Sequence, residues 1–162
     1  MVHFPVSTGE HFVFRKTISE SDVYLFAGIT GDLSPNHVDE EEMKRSQYGG
    51  RIAHGALLVG YMSACSTKAS ERFRNWEGKI AVSLGYDRIR FLHGVRIGDT
   101  ITVVYEVVSI DRDSNRSTAD VKITTSDGRL AVVARHVLKW VNVCDRCIGE
   151  GSSPDDGTTI QA

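Results

Sequence analysis

Residues 56–69 read ALLVGYMSACSTKA, and this run decides the fold. It holds a single charge, Lys68, near its end, and is apolar or small on every face of a helix. Such a helix is buried on nearly all sides. A flat sheet covers only one face, so this helix asks for a strongly curved sheet wrapped around it. The uncharged stretch from position 52 to 67 is shorter than the roughly 20 residues a membrane-spanning helix needs. It also contains His54, Gly55 and Gly60, so a buried helix is expected and no membrane span.

Strand-forming segments flank this helix. Residues 11–17, HFVFRKT, carry apolar residues alternating at Phe12 and Phe14. Downstream, residues 80–92, 100–110, 116–126 and 130–143 all favour strands. Ala119, Val121 and Ile123 alternate with Asp120, Lys122 and Thr124, the pattern of a sheet with one wetted face. Asp127-Gly128 reads as a hairpin turn and Gly98-Asp99 as a second turn. One strand, then helices, then four hairpin-like strands predict an α+β fold, an antiparallel sheet packed on one long helix. Periodicity alone leaves other α+β arrangements open.

Between the first strand and the long helix, Ser19 is placed to cap a helix and Asp22 follows three residues on, where an acid favours the N-terminus. Val23, Leu25, Phe26 and Ala27 are expected to form its buried side, with Gly28 and Gly31 ending it. A loop, GDLSPNHVD, leads to a short acidic helix near residues 39–45, and a second loop reaches His54-Gly55.

The 162 residues suit one domain. Residues 1–143 are expected to fold, and 144–162, rich in Gly, Ser and Asp, to form a flexible tail. A net charge of −2 gives no electrostatic footprint for nucleic acid, and no polybasic run suggests a membrane surface. Three cysteines and no basic-then-apolar start point away from a secreted disulfide scaffold and toward a cytoplasmic setting. Cys144 and Cys147 form one C-x-x-C with no second pair, so no metal is expected.

The chemistry is concentrated in residues 31–39. Asp32 and His37 flank Ser34 and Pro35. Pro35 fixes its own φ and restricts Ser34, so the loop can hold a carboxylate and an imidazole toward one site. Seventeen residues after His37 comes His54, and with Gly55 it opens the buried helix. A helix start carries unpaired N–H groups and positive dipole character, able to polarise a carbonyl oxygen that gains negative charge.

T-G-D-x-S-P-x-H-x-D followed by R-I-A-H-G-A-L-L resembles the signature of the MaoC-like dehydratases and (R)-specific enoyl-CoA hydratases. The later F-L-x-G-V-x-x-G-D around Phe91 to Asp99 agrees with it. The resemblance implies a single hotdog domain, with a curved antiparallel sheet wrapped around a long central helix. It also implies addition of water to, or its removal from, an acyl-CoA thioester without a cofactor. Asp32 and His37 would be the acid/base pair, and the Gly55 N–H the donor to the thioester carbonyl. Ser34, Asn36, His54 and Ser63 are the candidates for the substrate side. Of these, Ser34 and Asn36 also read as loop-shaping, His54 as a residue fixing the loop, and Ser63 as a packed small residue.

Two positions depart from the family pattern. Asn36 stands where relatives usually carry an apolar residue, and Gly94 where many carry proline. Lys79, Arg88, Arg90 and Arg96 read either as contacts for the phosphates of coenzyme A or as solvated strand faces. The resemblance further implies a homodimer or higher homo-oligomer. Action on a carrier-protein thioester, a thioesterase and a non-catalytic acyl-thioester binding domain remain alternatives.

Overall fold

The computed structural model describes residues 4–71 and 79–142. The boundary at 143, the tail 144–162 and the Cys144/Cys147 pair lie outside the described residues. The elements run in the order β1 (His11–Thr17), α1 (Glu20–Thr30), α2 (Pro35–Val38), α3 (Glu40–Met43), α4 (Gly55–Glu71), β2 (Lys79–Phe91), β3 (Thr100–Asp111), β4 (Arg116–Thr125) and β5 (Leu130–Asn142). The five strands form one antiparallel sheet in the order β1-β3-β4-β5-β2. Helix α4 packs against β1, β3 and β2, so strands from both ends of the sheet reach it. That is possible only if the sheet curls, and the arrangement is the hotdog fold. Among the described residues, no helix is long and apolar enough to cross a membrane.

Strand alternation builds the core. Ile101, Val103, Tyr105 and Val107 of β3 are buried, as are Ala119, Val121 and Ile123 of β4. They meet Leu58, Met62, Cys65 and Ala69 of α4 in one cluster. Burying each large apolar side chain contributes about 1.5–3 kcal/mol. The strand β2 bulges twice, between Ser83 and Gly85 and between Asp87 and Arg90. Bulges of this kind raise local twist and bend the strand.

The structure changes three expectations. Helix α4 is not buried all round: Ala56, Gly60, Ser63 and Thr67 form an exposed stripe along it. These small residues recur every three or four positions, and the curled sheet leaves that side open. In α1, Val23 and Ala27 are buried, but Leu25 is 66% exposed. Leu25 lies roughly 200° around the helix from Val23, so one packing face cannot hold both. Gly28 does not stop α1, because a helix tolerates an interior glycine at a cost of about 1 kcal/mol. Gly31 stops it, at φ 76° in the left-handed region, with its N–H on the Ala27 carbonyl. At the other end the Ser19 cap forms as expected, with Asp22 closing a reciprocal capping box.

Candidate active site

The segment between α1 and α4 positions the site. Ser34 begins the one-turn helix α2, with Pro35 at its first position, which suits the fixed φ of proline. The backbone N–H of Ser34 donates to Asp32 Oδ1 at 3.3 Å, which orients the carboxylate. Asp39 caps α3 through the Glu42 N–H at 2.9 Å. Residues 52–53 then run beside the loop that precedes β3. The Ala53 N–H reaches the Val95 carbonyl at 2.7 Å, and Ile52 bridges Arg96.

The backbone of Ile52 touches the site twice, through its N–H and through its carbonyl. Its N–H donates to the Asn36 carbonyl at 3.0 Å, and its carbonyl accepts from His37 Nδ1 at 2.8 Å. A carbonyl only accepts, so Nδ1 carries the hydrogen and the neutral ring presents a lone pair at Nε2. His37 is buried, and burial holds its pKa below the ordinary imidazole value. The Ile52 carbonyl and the Asp32 carboxylate oppose that, while His54 adds to it.

His54 is 1% exposed, and its ring stacks on His37 at 3.7 Å between centroids. Its Nε2 donates to the Asp32 carbonyl at 3.0 Å. His54 therefore ties the loop to the start of α4. Among the described residues, no backbone or side-chain acceptor takes the N–H of Gly55. The Leu58 N–H is the first in α4 to be paired, with the His54 carbonyl.

A cavity of about 810 Å³ has His37, Asn36, Gly55 and Phe91 on its wall, while Asp32 lies beside His37 but off that wall. Asp32 is exposed, and its carboxylate belongs to the group with His37 and His54 whose donor atoms all lie within 4.8 Å of one another. Three such groups resemble the ligand count of a catalytic zinc site. Here one nitrogen of each ring is already bonded to a backbone carbonyl. The two rings lie 25° from parallel, and the Nδ1 of His54 is buried with no hydrogen-bond partner among the described residues.

The remaining sequence candidates fall as follows. Asn36 lines the cavity and bonds His37. Ser34 is exposed and acts through its backbone, and His54 sits behind His37 rather than on the cavity wall. Ser63 lies about two turns along α4 from Gly55, on the exposed stripe and off the cavity wall. Of the four basic candidates only Arg96 lines the cavity. The Lys79 ammonium instead bonds Asn115 at 3.3 Å.

Sequence reasoning missed Tyr48, Phe91 and Arg129 on the cavity wall. Phe91 belonged to a recognised motif but had no assigned task. Tyr48 packs where a Cβ on Gly94 would stand 2.8 Å from its ring, which ties that glycine to this tyrosine. Arg129 arrives through the β4–β5 hairpin, and no local pattern announces it.

The chain is similar to known proteins. The model of the MaoC like domain matches residues 4–128. An (R)-specific enoyl-CoA hydratase of Rhodospirillum rubrum is 38% identical over 105 residues, covering 65% of this chain and 68% of that protein. A 3-hydroxybutyryl-CoA dehydratase of Methylorubrum extorquens is 36% identical over 105 residues, covering 65% of this chain and 62% of that protein. Thus the chain spans about two thirds of the length of these curated relatives. Among solved structures, the (R)-hydratase from A. caviae involved in PHA biosynthesis superposes with a TM-score of 0.71 at 27% identity, over 83% of this chain and 96% of that one. A wrapped helix, a Pro-stiffened Asp/His loop and a match through most of the folded residues agree, and the chain belongs to the MaoC-like domain family.

Proposed function

We propose that this protein is a hydro-lyase that adds water to a 2-enoyl-CoA, or removes it from a 3-hydroxyacyl-CoA, through Asp32, His37 and Gly55. The observation that carries the reading is one of position. A ring nitrogen of His37 and a carboxylate oxygen of Asp32 lie within 4.8 Å of one another, and His37 shares a cavity with the Gly55 helix start. The names borne by the relatives agree with that chemistry.

Water is a weak nucleophile until a base takes its proton, and positioned acid–base groups contribute about 10²–10⁴-fold. Asp32 and His37 hold the water between them. One member of the pair removes a proton as the water oxygen bonds the β-carbon. The π electrons move toward the α-carbon and the thioester oxygen, where the Gly55 N–H meets the developing charge. The α-carbon then receives a proton from the pair. One such donor to a developing oxyanion is typically worth about 2.7–4 kcal/mol.

Coenzyme A, rather than a carrier protein, is the thiol this reading selects. Arg96 and Arg129 stand on the cavity wall, and guanidinium groups suit phosphate. A homodimer is part of the same reading. β2 is an edge strand of 13 residues, and Ile80, Val82 and Leu84 lie exposed along it. A long apolar edge is a template for pairing with another strand. The buried thiol of Cys65 is in keeping with a cytoplasmic setting.

The test is turnover of a panel of 2-enoyl-CoA thioesters, followed by loss of the conjugated thioester absorbance. Asp32→Asn and His37→Ala are each expected to lower the rate by at least about 10²-fold while the protein stays folded. Full activity in both variants removes the mechanism. Thiol release faster than hydration makes the protein a thioesterase instead.

A further inference from the structure

The nitrogen on which the proposed proton transfer depends is already occupied. Asn36 Nδ2 lies 3.1 Å from His37 Nε2. The Ile52 carbonyl fixes the hydrogen on Nδ1, so Nε2 accepts and the Asn36 amide donates. The main chain of Asn36 is anchored, since its backbone carbonyl takes the Ile52 N–H. It also lines the cavity, so its side chain lies where water and substrate would arrive.

We propose that Asn36 is a positioning residue: its amide engages the Nε2 lone pair of His37, favours the neutral imidazole, and holds the ring ready for the incoming water. The catalytic meaning rests on the hydratase reading; the hold on the ring does not. An amide N–H can bond the neutral ring at Nε2 but clashes with a second hydrogen there. Protonation of His37 therefore requires the amide to turn its oxygen toward the ring or to withdraw. Either movement costs the interaction made in the neutral state. When water enters, it takes the place of the amide at Nε2, and the amide stays beside it on the same wall. Position 36 thus influences both how basic His37 is and how the water is oriented.

The titratable neighbours of His37 are accounted for. Asp32 and His54 act on it directly, from the same loop and from the residue before α4. His93, Arg96 and Arg129 stand elsewhere on the cavity wall. None of them changes when position 36 is substituted, so a change in titration reports on Asn36.

The experiment is an NMR titration of the His37 ring in the free protein, comparing the native chain with Asn36→Ala and Asn36→Asp. Losing one hydrogen bond to the neutral ring raises proton affinity about threefold to tenfold, about half to one pH unit. Asn36→Ala should move the midpoint upward by that amount. Asn36→Asp, nearly identical in size, replaces the donor with an anion and should move it further up. The acid limb of kcat/KM for enoyl-CoA hydration should follow in the same order. An unchanged or lowered midpoint in Asn36→Ala overturns the proposal, whatever the activity. A raised midpoint in a protein that hydrates no enoyl-CoA supports the hold of Asn36 on His37 and defeats the hydratase reading instead.

Discussion

The ring of Phe91 lies against Gly55 so closely that a methyl group at position 55 would stand 2.8 Å from Cζ and 2.9 Å from Cε1 of that ring. The contact joins the end of β2 to the start of α4 at the cavity wall. Phe91 is 55% exposed, so its ring has somewhere to go. Gly55→Ala is therefore expected to leave the melting temperature nearly unchanged while displacing the ring. In the proposed reaction, kcat/KM should fall at least about tenfold, because the donor N–H and the cavity wall move together. A double-mutant cycle with Phe91→Ala checks the cause. If crowding is responsible, the pair loses less than the sum of the two single losses.

His54 is expected to matter more for stability than for proton transfer. Its ring is buried, stacked on His37, and bonded to the Asp32 carbonyl. His54→Leu removes that bond and the stacking, at about 1–3 kcal/mol. Asp32→Asn, at an exposed position, should cost far less. Urea unfolding of the two variants, read as midpoint at constant slope, ranks them. A more stable His54→Leu would show that the ring is there for another reason.

Acid should weaken the fold in a defined window. His136 is fully buried between Ser83, at 2.8 Å, and Tyr105, at 3.1 Å, and burial pushes its pKa from 6.5 down to about 4. In the unfolded chain this histidine binds its proton first. Stability is then complete above about pH 6.5 and declines as pH falls toward 4, by about 3 kcal/mol in total. His37 is displaced in the same direction and adds to the same decline. His136→Gln should be less stable near neutral pH and should lose less on acidification. Thermal melts across the window, with equal losses in both proteins, would contradict this.

Arg51 fastens the loops around the site. Its guanidinium reaches Glu20 at 2.6 Å, Glu40 at 3.0 Å and the Tyr24 hydroxyl at 2.8 Å. These contacts connect α1 and α3 to the segment leading into α4. Arg51→Ala is expected to lower the melting temperature by a few degrees, and Arg51→Lys to recover little of it. A point charge cannot reproduce a planar fork that meets three acceptors. Full recovery by lysine would show that charge alone suffices.

Parts of this molecule were legible in the sequence because local physics and global fold agree there. The run at 56–69 called for a curled sheet, and the sheet does curl, although it leaves the stripe at Ala56, Gly60, Ser63 and Thr67 uncovered. The Asp32–His37 spacing around Pro35 indicated a stiff loop, and the two side chains do converge. Other parts depend on contacts between distant segments. Nothing near Leu25 says that the sheet leaves it outside, and nothing near Phe91 says that its ring meets Gly55. Asn36 looked like a loop or pocket residue, and its bond to His37 Nε2 depends on how Ile52 holds the ring, fifteen positions away. Positions 36 and 91 gain their meaning only when the chain closes on itself.

In the proposed reaction, the double use of the Ile52 backbone would separate proton chemistry from substrate choice. The imidazole is registered against a main-chain segment tied to Arg96 and, through Ala53, to Val95, so its aim is inherited from backbone groups that any residue but proline supplies at 52. The cavity walls at Gln47, Tyr48, Phe91 and Leu92 are side chains that can be exchanged without touching that registration. On the proposed function, a lineage, or an engineer, can thus refit the cavity by substitution while the His37 ring keeps its bearing.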